Sequence, residues 1–154
     1  MMVPFLATSR DDSADASQPS TQPTAQEIAT LAGKRAVIVE DEGITQIHLR
    51  KILTRAGLQV VGYALSGAEG VETVLRLTPD IVLMDINMPG EINGLEAARQ
   101  ILRQYPVCVV MVTAYTDHRA EAEAMGASGY ATKPVESRTL LLELQRAWAR
   151  FHRH

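Results

Sequence analysis

Polar side chains of several kinds follow short apolar runs, and together they could form a reaction site. Asp85 follows the run 81–84, with Asn87 two residues further on. Similar runs precede the other groups, which are Glu40 and Asp41 after 37–39, Thr113 and Ala114 after 109–112, and Lys133 after 130–132. Short apolar runs bounded by turn residues are typical of buried strands. If these strands are parallel, their carboxyl ends share one edge of a sheet, where we expect the side chains to meet.

The acidic members of this set predict a divalent cation. Carboxylates at Glu40, Asp41 and Asp85 would repel one another, and Lys133 alone does not balance their charge. Mg²⁺ prefers oxygen ligands in octahedral geometry. We predict that Asp41, Asp85 and the backbone carbonyl of Asn87 bind the ion, that waters complete the octahedron, and that Glu40 holds one of these waters.

Asp85 is the predicted nucleophile. A carboxylate beside Mg²⁺ and a lysine can attack phosphorus and form an aspartyl phosphate. The transferred phosphoryl group carries charge on three oxygens that must be neutralised. The candidates are Mg²⁺, Lys133, and the hydroxyl of Thr113 together with the amide of Ala114. Thr113 and Lys133 are therefore predicted to act with Asp85 in catalysis.

Strand and helix patterns alternate from Arg35 onwards. The predicted strands are 35–39, 59–64, 81–84, 107–112 and 129–132. The predicted helices are 43–56, one capped at Ser66, 94–104, a weaker one at about 117–125, and 136–152. Five βα units indicate an α/β protein with a doubly wound parallel (βα)5 sheet. In strand order 2-1-3-4-5, ligands bind between strands 1 and 3, which carry the predicted carboxylates.

Composition restricts the class of partner and the location. The net charge of −3 gives no basic excess of the kind that binds nucleic acid. No apolar stretch approaches the roughly 20 residues of a membrane span, and the apolar start lacks the basic region of a signal peptide. Cys108 lies inside an apolar run, which indicates a buried, reduced thiol. We therefore expect a cytoplasmic protein that binds neither nucleic acid nor membrane.

The first 33 residues differ from the rest. Residues 8–26 are rich in Ser, Thr, Asp, Gln and Pro, a composition that buries too little apolar surface to fold. We predict a disordered tail over 1–33 and one domain over 34–154. The capping-box spacing of 24–27 permits a short helix up to Leu31. A docking peptide for a partner is an alternative role for this segment.

The motifs resemble those of the response-regulator receiver domain of two-component and phosphorelay signalling. The matching motifs are Glu40-Asp41-Glu42, Asp85 with Met88-Pro89, Thr113-Ala114 and Lys133-Pro134. The resemblance covers about Lys34 to the end of the chain and implies a flavodoxin-like fold. It also implies that Asp85 accepts a phosphoryl group from a phosphohistidine on a sensor kinase or a histidine phosphotransfer protein.

The resemblance assigns further roles. Tyr130 matches the family's switch aromatic, which moves inward with Thr113 and remodels the surface of the fourth helix, fifth strand and fifth helix. Asn87 and Tyr115 match positions that influence phosphate lifetime, and we expect the bulk of Tyr115 to slow dephosphorylation. The turn from Asp85 to Gly94 is one residue longer than the family's usual spacing, so the surface beside the nucleophile is expected to differ.

The family also implies how partners bind. Its phosphoryl donors dock against the start of the first helix, where Ile44, Ile47 and His48 are the predicted contacts. Nothing follows the last predicted helix, so we expect either a stand-alone regulator or a phosphorelay intermediate that acts on a downstream protein target. A homodimer through the first and fifth helices, or through the fourth helix, fifth strand and fifth helix, is also conceivable.

Two other functions are alternatives. An aspartyl-phosphate hydrolase of the haloacid dehalogenase type needs an acid two residues after its nucleophile, where this chain has Asn87, and it also needs a cap domain. A receiver-shaped interaction module that signals without phosphate is the other alternative. We therefore expect a signalling protein that catalyses only its own phosphorylation and dephosphorylation, and not an enzyme acting on other substrates.

Overall fold

The computed structural model describes residues 30–114 and 118–152. Its strands are β1 (Arg35–Val39), β2 (Gln59–Ala64), β3 (Ile81–Met84), β4 (Cys108–Thr113) and β5 (Gly129–Thr132). Its helices are α1 (Gly43–Arg55), α2 (Gly67–Leu77), α3 (Gly94–Gln104), α4 (Arg119–Ala124) and α5 (Ser137–His152). All strand pairs are parallel, in the order β2-β1-β3-β4-β5. The predicted fold class and strand order are confirmed.

Each strand has apolar side chains on both faces, because helices cover the sheet on both sides. Ile38 and Leu83 pack with the core beneath α1 and α5. Their neighbours Val39 and Met84 pack with the core beneath α2, α3 and α4. Consecutive residues of a strand point to opposite faces, which is why the sequence shows continuous apolar runs and no alternation.

The helix boundaries follow local signals. Ser66 Oγ accepts a hydrogen bond from Glu69 N at 3.2 Å, and the Glu69 carboxylate accepts one from Leu65 N at 2.5 Å. This reciprocal capping starts α2 where the sequence predicted it. No helix among the described residues is long and apolar enough to cross a membrane.

Two predicted boundaries need correction. Leu31 lies within the predicted tail, yet it is only 1% exposed and packs in the core beneath α1 and α5. Gly33 N also donates to Gly57 O at 2.9 Å, so the packed domain begins before residue 34. Thr113 belongs to β4, because it pairs with Thr132 of β5. The predictions for residues 1–29 lie outside the described residues.

Candidate functional site

Three carboxylates meet where β1 and β3 end. Glu40 and Asp41 directly follow β1, and Asp85 directly follows β3. Asp85 N donates to Val39 O at 3.0 Å, which continues the pairing of the two strands up to the nucleophile. One oxygen of each carboxylate lies within 4.8 Å of the other two. The structure therefore brings together the residues that the sequence predicted would meet, although 44 positions separate Asp41 from Asp85.

Lys133, just after β5, faces this acidic cluster. Its Nζ atom lies 3.2 Å from Asp85 Oδ2 and 2.8 Å from Glu40 Oε1. Burial alone would lower the pKa of Lys133, but the carboxylates of Glu40 and Asp85 outweigh burial and raise the pKa above its ordinary value. The ammonium group therefore stays charged at neutral pH beside the predicted nucleophile.

Glu40 is the buried member of the cluster. Burial raises its pKa, the Lys133 ammonium and the Glu42 amide oppose this rise, and the negative charge of Asp85 adds to it. Glu40 Oε2 accepts a hydrogen bond from Glu42 N at 3.1 Å. Oε1 forms a close ion pair with Lys133 but no well-oriented hydrogen bond with any described group. A buried carboxylate oxygen in this state can accept a hydrogen bond from a metal-bound water.

The surroundings of the cluster fit a hard cation. A cavity of about 340 Å³ opens beside it. Its lining residues are Glu40, Asp41, Glu42, Asp85, Asn87 and Lys133. Asn87 N donates to Asp85 Oδ1 at 3.2 Å, so the backbone after the nucleophile turns back over it. Apart from Lys133, the side chains that line the cavity offer oxygen atoms as ligands, which Mg²⁺ prefers.

Thr113 occupies the same edge of the sheet. The register pairs Met84 with Met111, so Thr113 lies one position beyond the level of Asp85 on the neighbouring strand. Its side chain is fully buried, and its carbonyl accepts a hydrogen bond from Lys133 N at 2.8 Å. Ala114 lines a groove next to Lys133. The predicted phosphate-contacting groups of β4 and β5 are thus joined through their backbones.

The long turn after Asp85 closes through Gly94. Gly94 N donates to Ile86 O at 2.8 Å. A Cβ atom on Gly94 would lie 1.8 Å from the carbonyl oxygen of Asp85. Only glycine permits this approach, and the first turn of α3 therefore packs directly against the backbone of the nucleophile.

Tyr130 is buried within β5. The residue is 2% exposed, and its amide donates to Glu143 Oε2 at 2.9 Å. Arg119 of α4 donates to Tyr130 O at 3.3 Å, and its guanidinium carbon lies 5.0 Å from the ring centroid. The sequence predicted the switch residue but gave no signal for Arg119, whose partner is brought close by the packing of α4 against β5.

A groove of about 420 Å³ separates the start of α1 from the segment after β5. Its lining residues are Glu42, Ile44, Thr45, His48, Ala114, Lys133, Pro134 and Val135. Ile44 is 84% exposed, and Ile47 is 43% exposed but is not among the residues that line the groove. Sequence reasoning missed Pro134 and Val135 as part of this surface. Tyr115 lies outside the described residues.

Comparisons with known proteins identify the family of this chain. A family model described as the response regulator receiver domain matches residues 36–145. The chemotaxis protein CheY of Thermotoga maritima is 39% identical over 107 residues, covering 68% of this chain and 88% of CheY. The response regulator domain of Thermotoga maritima CheB superposes with a TM-score of 0.70 at 31% identity, covering 76% of this chain and 97% of that domain.

Another relative is much longer than this chain. A protein-glutamate methylesterase/protein-glutamine glutaminase of Archaeoglobus fulgidus is 40% identical over 104 residues, which are 65% of this chain but 30% of that protein. The residues that the family model matches include the acidic cluster and Lys133. The chain therefore belongs to the response regulator receiver domain family of two-component signalling.

Proposed function

We propose that this chain accepts a phosphoryl group on Asp85 from a phosphohistidine on a sensor histidine kinase or a histidine phosphotransfer protein, in a reaction that depends on Mg²⁺. The observation that carries the proposal is the position of Lys133 Nζ, 3.2 Å from Asp85 Oδ2 and at the edge of a three-carboxylate cluster. This arrangement supplies a nucleophile, a fixed positive charge and a cation site in one cavity.

Each residue of the site has a separate role in phosphoryl transfer. A carboxylate oxygen of Asp85 attacks phosphorus, and the bond between phosphorus and the ring nitrogen of the donor breaks with its electron pair going to the imidazole. Lys133 and the Thr113 hydroxyl, with the amide of Ala114, offset the charge on the phosphoryl oxygens. Asp41, Asp85 and the backbone carbonyl of Asn87 would hold Mg²⁺, whose charge neutralises phosphoryl oxygen when it is bound, and Glu40 would hold one of its waters.

The test uses a small phosphoryl donor, so that no partner protein is needed. The full chain is incubated with acetyl phosphate and Mg²⁺, and its intact mass is measured beside that of Asp85→Asn. We expect a gain of one phosphoryl group in the wild type only, abolished by a chelator. If neither protein gains mass although Mg²⁺ binds, the chain is instead a receiver-shaped interaction module that signals without phosphate.

The output surface of the proposal is formed by α4, β5 and α5. Tyr130 lies in the core with its backbone held by Arg119 and Glu143. Phosphorylation at Asp85 would draw Thr113 toward the phosphate and raise the population of the inward Tyr130 position seen here. It would thereby favour one form of the surface offered to a downstream protein target. The same surface, or α1 with α5, would also serve a homodimer.

Donor docking is proposed at the groove between α1 and the segment after Lys133. Ile44 and His48 line this groove, Ile47 is the third predicted contact, and Ile44 is the most exposed large apolar side chain of the described residues. Ile44→Asp should abolish transfer from the cognate donor and preserve phosphorylation by acetyl phosphate. Leu65→Asp is the matched control, since Leu65 is also exposed, at 54%, but lies outside the groove. Equal transfer to both variants would contradict this docking site.

Phosphate lifetime is assigned to Asn87 and Tyr115. Asn87 borders the cavity beside Asp85, whereas the assignment of Tyr115 depends on the sequence alone. Tyr115→Ala should shorten the half-life of the phosphorylated protein, because a smaller side chain admits the attacking water. An unchanged half-life would show that Tyr115 does not slow dephosphorylation. The cytoplasmic location and the absence of activity on other substrates stay predictions.

A further inference from the structure

His48 of α1 is joined to the segment that follows the active-site lysine. Its Nε2 atom lies 2.7 Å from the carbonyl oxygen of Val135, a residue 87 positions further along the chain. A carbonyl oxygen can only accept a hydrogen bond, so Nε2 must carry the proton and donate it. The contact therefore selects the Nε2–H tautomer of neutral His48.

The segment between β5 and α5 is held by the buried side chain of Val135 and by backbone hydrogen bonds at its two ends. Upstream, Lys133 N donates to Thr113 O at 2.8 Å, and β5 ends at Thr132. Downstream, the first backbone acceptor of α5 is Glu136 O, which receives Leu140 N at 2.9 Å. The carbonyl of Val135 lies between these two points, beyond the strand ladder and before the helix. The side chain of His48 supplies the donor that neither element provides.

This hydrogen bond closes a ring of contacts around the reaction site. Asp41 lies two residues before α1 begins, and His48 lies about one and a half helical turns after that beginning. From there the contact passes to Val135 and back along the chain to Lys133, whose Nζ atom reaches Glu40 and Asp85. The hydrogen bond therefore fixes the position of the segment after Lys133 relative to α1.

We propose that His48 is a positioning residue for Lys133. Its Nε2–H holds the Val135 carbonyl against α1 and so keeps the Lys133 ammonium within reach of the Asp85 carboxylate. The proposal goes beyond the predicted role of His48 in donor docking, and it rests on the proposed phosphorylation of Asp85. Misplacement of a catalytic group by about 1 Å can cost up to about 100-fold in rate, so a lost tether should slow the reaction measurably.

The test compares His48→Leu, which removes the donor, with His48→Gln, whose side-chain amide nitrogen can replace Nε2. The rate of phosphorylation by acetyl phosphate is measured at saturating Mg²⁺, under conditions where circular dichroism shows each variant folded. Acetyl phosphate bypasses donor docking, so a lost partner contact cannot produce the result. We expect His48→Leu to be slower by about tenfold and His48→Gln to recover most of the wild-type rate.

A second measurement on the wild type does not depend on any variant folding. Long-range ¹H–¹⁵N spectra of the histidine rings should show His48 in the Nε2–H form at neutral pH. A wild-type rate in His48→Leu, equal loss in both variants, or a predominant Nδ1–H tautomer would each overturn the proposal. If the wild type itself gains no phosphoryl group, the proposed function fails instead, and the tautomer then decides whether the tether exists.

Discussion

Replacing Gly94 by alanine should destabilise the domain, because the turn after Asp85 has no room for a Cβ atom. That atom would lie 1.8 Å from Asp85 O, 2.6 Å from Asp85 C and 2.8 Å from the Cα of Ile86. All three are backbone atoms, which cannot rotate away as the end of a side chain can. Reaching ordinary contact requires a backbone displacement of more than about 1 Å, at the residue that carries the nucleophile.

The cost can be estimated from the contacts that must change. Overpacking a filled site costs about 1–3 kcal/mol, and weakening the Gly94 N to Ile86 O hydrogen bond costs about 1 kcal/mol more. The expected loss of unfolding free energy is therefore about 3 kcal/mol. With a urea dependence of about 1.5 kcal/mol per molar, the unfolding midpoint should fall by about 2 M.

The assay is urea unfolding followed by circular dichroism, with Gly43→Ala as the matched control. A Cβ atom on Gly43 meets nothing within 4 Å, and Gly43 begins α1. Alanine favours a helix over glycine by up to about 1 kcal/mol, so the midpoint of this variant should hold or rise. The reasoning is refuted if Gly94→Ala unfolds within about 0.3 M of the wild type, or if both variants lose equally.

Three further predictions follow from single contacts. Burial raises the pKa of the Cys108 thiol to about 12. Because the thiolate is the reactive form, a disulfide reagent at pH 8 should modify native protein far more slowly than urea-unfolded protein. Equal rates of modification would contradict the burial of Cys108. Arg119→Met removes a cation–π contact of about 0.5–1 kcal/mol. The ratio of exposed to buried Tyr130 ring conformers, followed by tyrosine ring resonances, should therefore rise by about two- to fivefold. An unchanged spectrum would show that Arg119 does not hold the Tyr130 ring in its buried position. Mg²⁺ at ten times its Kd should raise the unfolding free energy by about 1.4 kcal/mol in the wild type and much less in Asp41→Asn, and equal stabilisation would place the ion elsewhere.

The alternation of strands and helices could be predicted because the central strands β3 and β4 are buried throughout. The run at 81–84 has the same bounds in the structure, since a continuous apolar run ending in a polar residue has few other interpretations. The predicted strand 129–132 also has the bounds of β5. The sequence predicts strand 107–112, one residue earlier than β4, because a single sequence does not show that Thr113 pairs with Thr132. The sequence predicts Leu31 to lie in the tail for a similar reason, since its packing partners are distant in sequence.

The acidic cluster and Lys133 could be predicted because the ends of neighbouring parallel strands must share one edge. Contacts made by helix side chains could not be predicted from the sequence. The hydrogen bond from His48 to Val135 depends on the rotation of α1 and on the path of a segment outside any strand or helix. The contact of Arg119 with Tyr130 depends on how α4 sits on β5. Such pairs leave no periodicity or motif in one sequence.

The central claim is that Asp85 receives the phosphoryl group, and reductive trapping tests it most directly. The protein is phosphorylated with acetyl phosphate and Mg²⁺ and then treated with borohydride, which reduces an aspartyl phosphate to homoserine. Peptide mass spectrometry then locates the converted residue. We predict homoserine at position 85 and at no other aspartate, with none when Mg²⁺ is withheld. Conversion at Asp41, or at no aspartate while the intact protein carries phosphate, would contradict the account.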